Sequence, residues 1–433
     1  MAKRVYWIIF GYRKNMKKIV LAAMLCGSVW GYAWGYESID EALENGVSSG
    51  DITLYGNYTN GTKNQGNNKG KNDFSESGYM VGSVGLAYHS AFYKYLRVAV
   101  SFRAVGVAYE NDTDSIWGAG NLTNNPNRYG KGDASRDFYM NDRTMLGQSY
   151  LEYFDGNTSI KAGRIFADSE WADRLVDGLW LRNRSLPNAL IEGLWVKNSG
   201  YVQYNKMTGF YDVNPHNSLG LTQASFKYHI GEVMSVKFYG IANPSMFYAT
   251  GVKASARYEA SKSYIGLSGH FATSFEQTYG VQKGNQGNGY NTDVKVYVGV
   301  KDMAEVSGGY IGSGSNIGWG SLNTLGNSVS PFFMWGGRAL LEGVDANVWY
   351  GKVMFAIDRV SFAVVYGSTK FRGMSMVNEP LKPYDRVNEV NFLLDFGFTE
   401  HFSGIVNVLN THGGSQLYYP HMTNVNLGMK LAF

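Results

Sequence analysis

Along the last eleven residues, 423–433, apolar and polar side chains take turns. Val425, Leu427, Met429, Leu431 and Phe433 share one face of an extended chain; Asn424, Asn426, Gly428, Lys430 and Ala432 share the other. Side chains of a strand alternate with period two, so the pattern predicts a strand with one greasy and one polar face. At a soluble sheet edge such a face invites aggregation. In a transmembrane barrel, lipid covers one face and the lumen wets the other.

The alternation recurs upstream in runs of about ten residues. It predicts strands over 50–58, 79–89, 95–109, 146–154, 158–166, 190–197, 201–209, 221–229 and 233–241. It continues with 250–259, 264–273, 292–300, 305–313, 345–356, 360–367, 387–397, 402–409 and 423–433. The count is eighteen, with sixteen as the alternative. Short connections (155–157, 198–200, 230–232, 399–401) alternate with long ones (59–78, 110–145, 167–189, 274–291, 314–344, 368–386, 410–422). Short periplasmic turns and long extracellular loops show that asymmetry, and an even strand count puts both chain ends in the periplasm. The expected fold is all-β, a transmembrane antiparallel β-barrel over 50–433. Before it, 36–49 reads as a periplasmic segment with a short helical turn, capped by Ser38 with Asp40 and Glu41 and stopped at Gly46.

The N-terminus carries a second signal. Met16-Lys17-Lys18 is basic, Ile19 to Val29 is apolar, and Gly31, Ala33 and Gly35 are small. This is the pattern of a secretory signal peptide, with cleavage expected near Gly35 and Met1 or Met16 as the start. The apolar run is about a dozen residues, short of the ~20 that a membrane-spanning helix needs. Cys26, the single cysteine, lies inside this leader. The six basic residues of 1–35 are matched by no acid, so their removal leaves 33 basic against 35 acidic groups from the original 39 and 35. The apparent basic character therefore belongs to the leader, and a nucleic-acid partner loses its support. Glycine is abundant (54 residues), proline scarce (8) and tyrosine frequent (32). No later apolar run approaches a membrane helix, and in lipid the remaining solution is a closed barrel.

The alternation sorts charges. Arg97, Arg103, Lys227, Lys237, Lys253, Arg257, Lys295 and Lys430, with Glu389, Asn391 and Asp395, fall on the face opposite the apolar one. A charge on the lipid face at mid-membrane costs about 2–4 kcal/mol, so these residues are expected to face the lumen. Most of them need do no more than solvate it. The segment 164–193 is different. After Lys161 and Arg164 it carries Asp168, Glu170, Asp173, Arg174, Asp177, Arg182 and Arg184 together with Trp171, Leu175, Val176, Leu179, Trp180 and Leu181. Apolar anchors beside clustered charge predict that this third long loop folds into the lumen. There, opposed charges across a constriction would sort solutes. The bland alternative is a surface loop with local ion pairs.

Certain stretches resemble a known family. Ile39-Asp40-Glu41-Ala42-Leu43-Glu44-Asn45-Gly46-Val47-Ser48-Ser49-Gly50-Asp51-Ile52, Lys161-Ala162-Gly163-Arg164 and Arg184-Ser185-Leu186-Pro187-Asn188-Ala189-Leu190-Ile191-Glu192-Gly193 are similar to segments of the OprD-like outer-membrane porins. The resemblance is closer to the porins of Campylobacter and Helicobacter, the Hof group and the major outer-membrane porin. The stretch from Pro187 to Gly193 is one residue longer than the usual pattern. The resemblance implies an eighteen-stranded porin, often a homotrimer, that passes small hydrophilic solutes. It also implies a ladder of lumenal basic residues facing an acidic loop, and Phe433 as the signal read by the barrel-assembly machinery.

Other classes find less in the sequence. The seven histidines have no metal spacing, and no Gly-x-Ser-x-Gly elbow or phosphate-cradling glycine loop is present. Neither catalysis nor a cofactor is expected. An adhesin acting through its long loops is the alternative function.

Overall fold

The computed structural model describes residues 35–61, 77–111, 143–276, 289–314, 325–326, 329–334, 336–337, 344–372, 383–413 and 421–433. The expected leader and most of the expected loops 59–78 and 110–145 lie outside the described residues.

A short helix, α1 (Ile39–Glu44), has Ser38 as its N-cap, whose Oγ accepts the Glu41 N–H at 3.1 Å. The strands follow in order: β1 (Val47–Gly61), β2 (Ser77–His89), β3 (Leu96–Glu110), β4 (Thr144–Phe154), β5 (Thr158–Ser169), β6 (Ala172–Asn183), β7 (Ala189–Gln203), β8 (Lys206–Asp212), β9 (Leu221–Ile230) and β10 (Met234–Asn243). Then come β11 (Phe247–Glu259), β12 (Ser263–Glu276), β13 (Tyr290–Val300), β14 (Ala304–Ser313), β15 (Val344–Ile357), β16 (Val360–Arg372), β17 (Tyr384–Gly397), β18 (Phe402–His412) and β19 (Met422–Ala432).

All pair antiparallel. Each strand pairs with its successor, except that β7 pairs directly with β9, while the partner of β8 among the described strands is β7. β19 returns to β1, from Asp51↔Ala432 to Gly61↔Met422, and closes an eighteen-stranded barrel. Phe433 completes the seam, its N–H and C=O bonded to Gly50 at 3.0 and 2.8 Å.

Alternation sorts the two faces. Leu54, Val84, Phe102, Leu427 and Met429 are exposed on the outside, while Tyr55, Asn57, Val81, Asn424 and Asn426 are buried on the inside. The start of β1 and the end of β19 lie at one rim, with the short turns. In one of them Asp155 accepts the backbone N–H groups of Thr158 at 2.7 Å and Asn157 at 2.9 Å, which holds its carboxyl below the usual range.

The count of eighteen agrees with the alternation, but two of the strands differ from expectation. Residues 172–183, expected within an irregular loop over 167–189, form β6. Residues 201–209, expected as a wall strand, are split between the end of β7 and β8, which branches off the ring. The expected turn 198–200 is continuous strand with a register shift at Ser199/Tyr201. The turn at the terminal rim is 184–188, where the Arg184 N–H donates to Asn157 O and Ala189 N–H to Leu186 O. The omitted and the added strand offset one another.

The physical reason lies in the upper half of the β5–β6 hairpin. β4 pairs with β5 up to Ser149↔Arg164 and no further. Beyond that point the hairpin leaves the wall and turns into the lumen. Its bend is a cross-strand glycine pair, Gly163↔Gly178. Gly163 has φ +125°, and a Cβ on it would strike Ser149 O; a Cβ on Gly178 would strike Trp195 O. Both obstacles are backbone, which cannot move aside, and only glycine takes that φ freely. Inside the barrel the hairpin has protein on both faces, so Leu175 and its neighbour Val176 are both buried. The lipid/lumen alternation therefore vanishes from the sequence there.

Replacing Gly163 with Val should lower folding stability by at least about 1–3 kcal/mol, the usual cost of a strained φ. Gly193→Ala, whose added Cβ meets nothing within 4 Å, should stay within about 0.5 kcal/mol. Urea unfolding of the reconstituted barrel compares them; equal midpoints would remove the bend from the argument.

Candidate functional site

The turn of the inward hairpin is two residues, Glu170 and Trp171, with Trp171 at φ +56°. It reaches the inner face of β9–β12, a few strands farther round the ring from its own wall position. The Trp171 indole N–H donates to the Tyr239 hydroxyl at 2.7 Å, and that oxygen lies 2.8 Å from His270 Nε2. The Trp171 and His270 rings pack at 5.7 Å. Beside them the Gln223 side-chain amide donates to Ser169 Oγ at 2.9 Å. A buried indole and phenol need such partners, and these partners come from three different wall strands.

Glu170 completes a chain of alternating charge. Its carboxylate lies 3.4 Å from Lys253 Nζ and 3.8 Å from Lys237 Nζ. Lys237 also meets Glu192 at 3.1 Å, and Glu192 meets Arg182 at 3.2 Å. The order is Arg182–Glu192–Lys237–Glu170–Lys253, drawn from β6, β7, β10, the hairpin tip and β11. The four members after Arg182 have side chains between 7 and 29 % exposed. Pairs this shielded are screened less by salt than surface pairs.

Two further elements share the lumen. The β7–β8 hairpin carries Tyr204 to the seam strand β1, where its ring packs edge-on against Tyr55 at 5.8 Å. Residues from the β14–β15 connection form the other. The Leu325 carbonyl accepts from Asp173 N at 3.2 Å and Arg174 Nε at 2.6 Å. Farther on, the Phe333 N–H donates to Asn391 Oδ1 at 2.5 Å and the Gly337 N–H to Glu389 Oε1 at 2.8 Å.

The candidate residues named from the sequence divide into groups. Glu170 and Lys253 meet at the tip, and Arg182 joins them through Glu192 and Lys237. Arg164 and Asp177 form a two-point pair at 2.6 and 3.0 Å just past the bend, with the guanidinium stacked 3.4 Å from the Phe210 ring centroid. Arg174 sits over Tyr201. Asp168 lies across from Asp173 in the hairpin register and is exposed. Arg97 and Lys161 share Glu152, at 2.6 and 3.9 Å. Arg103 pairs with Asp51 at 2.7 Å, Lys295 with Glu305 at 3.1 Å, and Arg257 with Glu259 at 2.8 Å. Glu389 is 1 % exposed, under the 329–337 segment. Arg184 lies apart from all of them, exposed in the rim turn 184–188.

The sequence reading did not single out the anionic partners Glu152, Glu192 and Glu305. All three sit on the inward face, and the alternation that located the lysines would also have located them. Lys352 of β15, buried with its ammonium 4.7 Å from the Phe333 ring centroid, was likewise not singled out. Among the described residues no group of three or more His, Cys, Asp or Glu is placed to hold a metal ion.

Trp171→Ala should release the hairpin tip. Truncating a buried tryptophan costs about 3–5 kcal/mol, here concentrated on the inward half. Amide hydrogen exchange should accelerate across 168–174, while 158–162 and 179–183 in the wall stay protected. Uniform protection throughout would mean that the tip is not held by this contact.

No protein-family model and no curated protein matches the sequence. Solved structures do match the fold, among them three from Pseudomonas aeruginosa. OccK3 (OpdO) is 12 % identical with TM-score 0.65, over 91 % of this chain and 97 % of its own. OccK8 (OprE) is 9 % identical with TM-score 0.67, over 90 % and 99 %. OpdK, solved with vanillate, is 10 % identical with TM-score 0.66, over 89 % and 98 %. At such identities the likeness is one of architecture, and the architecture is the closed eighteen-stranded antiparallel barrel of these proteins.

Proposed function

We propose that the protein is an outer-membrane porin through which small hydrophilic solutes and ions diffuse passively. The observation that carries this reading is the combination of an apolar exterior with a charged interior narrowed by a folded-in hairpin. An apolar surface of this extent calls for an apolar solvent, and a closed ring of strands meets lipid without leaving unpaired backbone groups. The fold shared with OccK3, OccK8 and OpdK supports the same reading, as does the leader at 1–35, which we read as a signal peptide removed near Gly35. Kinship with the Hof and major outer-membrane porins of Helicobacter and Campylobacter, and assembly as a homotrimer, rest on the sequence resemblance.

In this reading selectivity lies around the hairpin. Lys237 and Lys253 present positive charge from the wall, and Glu170 and Glu192 neutralise it. Lys161, Arg97, Arg257 and Lys295 extend the basic lining, each beside a carboxylate. A solute anion would be guided along these cations, and a cation along the carboxylates at the hairpin. We assign the channel no catalytic step.

Planar-bilayer recording tests the reading. The wild-type barrel should give discrete conductance steps; a folded barrel that never conducts would refute the porin. Glu170→Gln should move the zero-current potential in a salt gradient towards anion preference, because Lys237 and Lys253 lose a counter-charge. Lys253→Gln should move it the other way. If neither substitution moves it, the hairpin lies off the conduction path.

A second expectation concerns assembly. Phe433 closes the seam with Gly50, and we read it as the signal for the assembly machinery. Its deletion should reduce the amount of heat-modifiable, inserted barrel, while barrels that do insert conduct as the wild type does. Normal insertion would detach Phe433 from that role.

A further inference from the structure

The helix α1 is amphipathic. At about 100° per residue, Ile39, Ala42 and Leu43 lie on one side, and Asp40, Glu41 and Glu44 on the other. Only Ala42 is buried, where its carbonyl accepts the Ala91 N–H at 2.9 Å. The larger apolar side chains face out: Ile39 is 59 % exposed and Leu43 43 %. Burying the smallest apolar residue and exposing the largest is the reverse of what water favours.

The position of the helix says what covers that face. The Tyr88 hydroxyl donates to Leu43 O, and a Cβ on Gly46 would run into the Tyr88 ring. Tyr88 continues the outward row of Val84 and Leu86 on β2, opposite the buried row of Tyr79, Val81 and Ser83. The helix is therefore attached beneath the outer face of the wall, not beneath the lumen. Tyr36 fastens its start, with its N–H on Phe92 O at 2.7 Å. The pair Ile39 and Leu43 thus lies beside the end of the outward apolar row of the barrel, and exposed Tyr95 lies at the same rim.

We propose that α1 lies in the membrane interface, with Ile39 and Leu43 entering the boundary between headgroups and acyl chains. The partner is a zwitterionic phospholipid surface. Residues 36–46 hold Glu37, Asp40, Glu41 and Glu44 and no basic residue, so anionic headgroups would be repelled. Such a helix binds through its apolar face while its charged face stays in water. Here the barrel tethers it, so six residues suffice to hold the position. The inference rests on the membrane reading above and is independent of conduction.

The chain after residue 35 has no cysteine, which permits single nitroxide labels. We would label Ile39→Cys, Leu43→Cys, Glu41→Cys and Glu44→Cys, with Val84→Cys as the lipid-facing reference. The full barrel is reconstituted in phosphatidylethanolamine–phosphatidylcholine vesicles, with heat-modifiable migration as the check of folding. Collision rates with oxygen and with a water-soluble nickel chelate are compared at each site. Labels at 39 and 43 should favour oxygen, as at 84, and labels at 41 and 44 should favour nickel. Nickel access at 39 and 43 but not at 84 would place the helix in water and overturn the proposal, leaving the membrane reading intact. Exclusion of both reagents at 39 and 43, with dipolar broadening between labels, would show a second copy on this face and overturn the assignment to lipid. Nickel access at 84 as well would overturn the membrane reading itself.

Discussion

Every backbone N–H and C=O of a strand needs a partner, and the structure follows from how that requirement is met. A sheet with an apolar outer face cannot leave a long edge open. Closing β19 on β1 removes both edges at once, and Phe433 with Gly50 carries the pairing to the end of the chain. The same requirement governs the interior. Once the β5–β6 hairpin leaves β4 after Arg164, its freed edges must be satisfied inside the barrel. β6 continues along β7 to Leu175↔Gly200, β8 pairs with the end of β7, and Leu325 bridges to Ala172. The inward structure is a continuation of the wall sheet, and this is what gives the hairpin tip a defined position.

That position brings charges together from distant parts of the chain. Lumenal cations stand beside carboxylates: Arg97 and Lys161 with Glu152, Arg103 with Asp51, Lys295 with Glu305, and Lys237 and Lys253 with Glu170. Burying an ion without a partner is expensive, and pairing offsets the cost of desolvation. The pairs on the wall join strands that are fixed in register. The pairs to Glu170 join the wall to a hairpin tip that is also held by Trp171 on Tyr239 and His270. The charge around the hairpin tip therefore depends on an aromatic contact as well as on the carboxylate.

Much of this was legible in the sequence. The period-two alternation of 423–433 located β19 and its outward face, and the same reading placed Arg97, Arg103, Lys253 and Lys295 inward. The apolar anchors and clustered charge of 167–189 pointed into the lumen. The form taken by that segment was not legible. A lipid face writes an alternating pattern because one side of the strand must be apolar. A strand packed on both faces has no such constraint, so Ala172–Asn183 read as a loop. Conversely, 201–209 alternates and is largely extended, yet its pairing with β7 as an inward hairpin leaves no mark on the pattern.

The sequence by itself determined that the chain is a barrel, which faces its strands present, and where its charges point, because each of these follows from local alternation and the cost of charge against an apolar surround. Only the tertiary structure decided which strands belong to the ring and which carboxylate meets which lysine. Ring closure, the Gly163–Gly178 bend, and the meeting of Glu170 with Lys237 and Lys253 join residues far apart in the chain. Their geometry depends on where the whole sheet carries them, which no local pattern encodes.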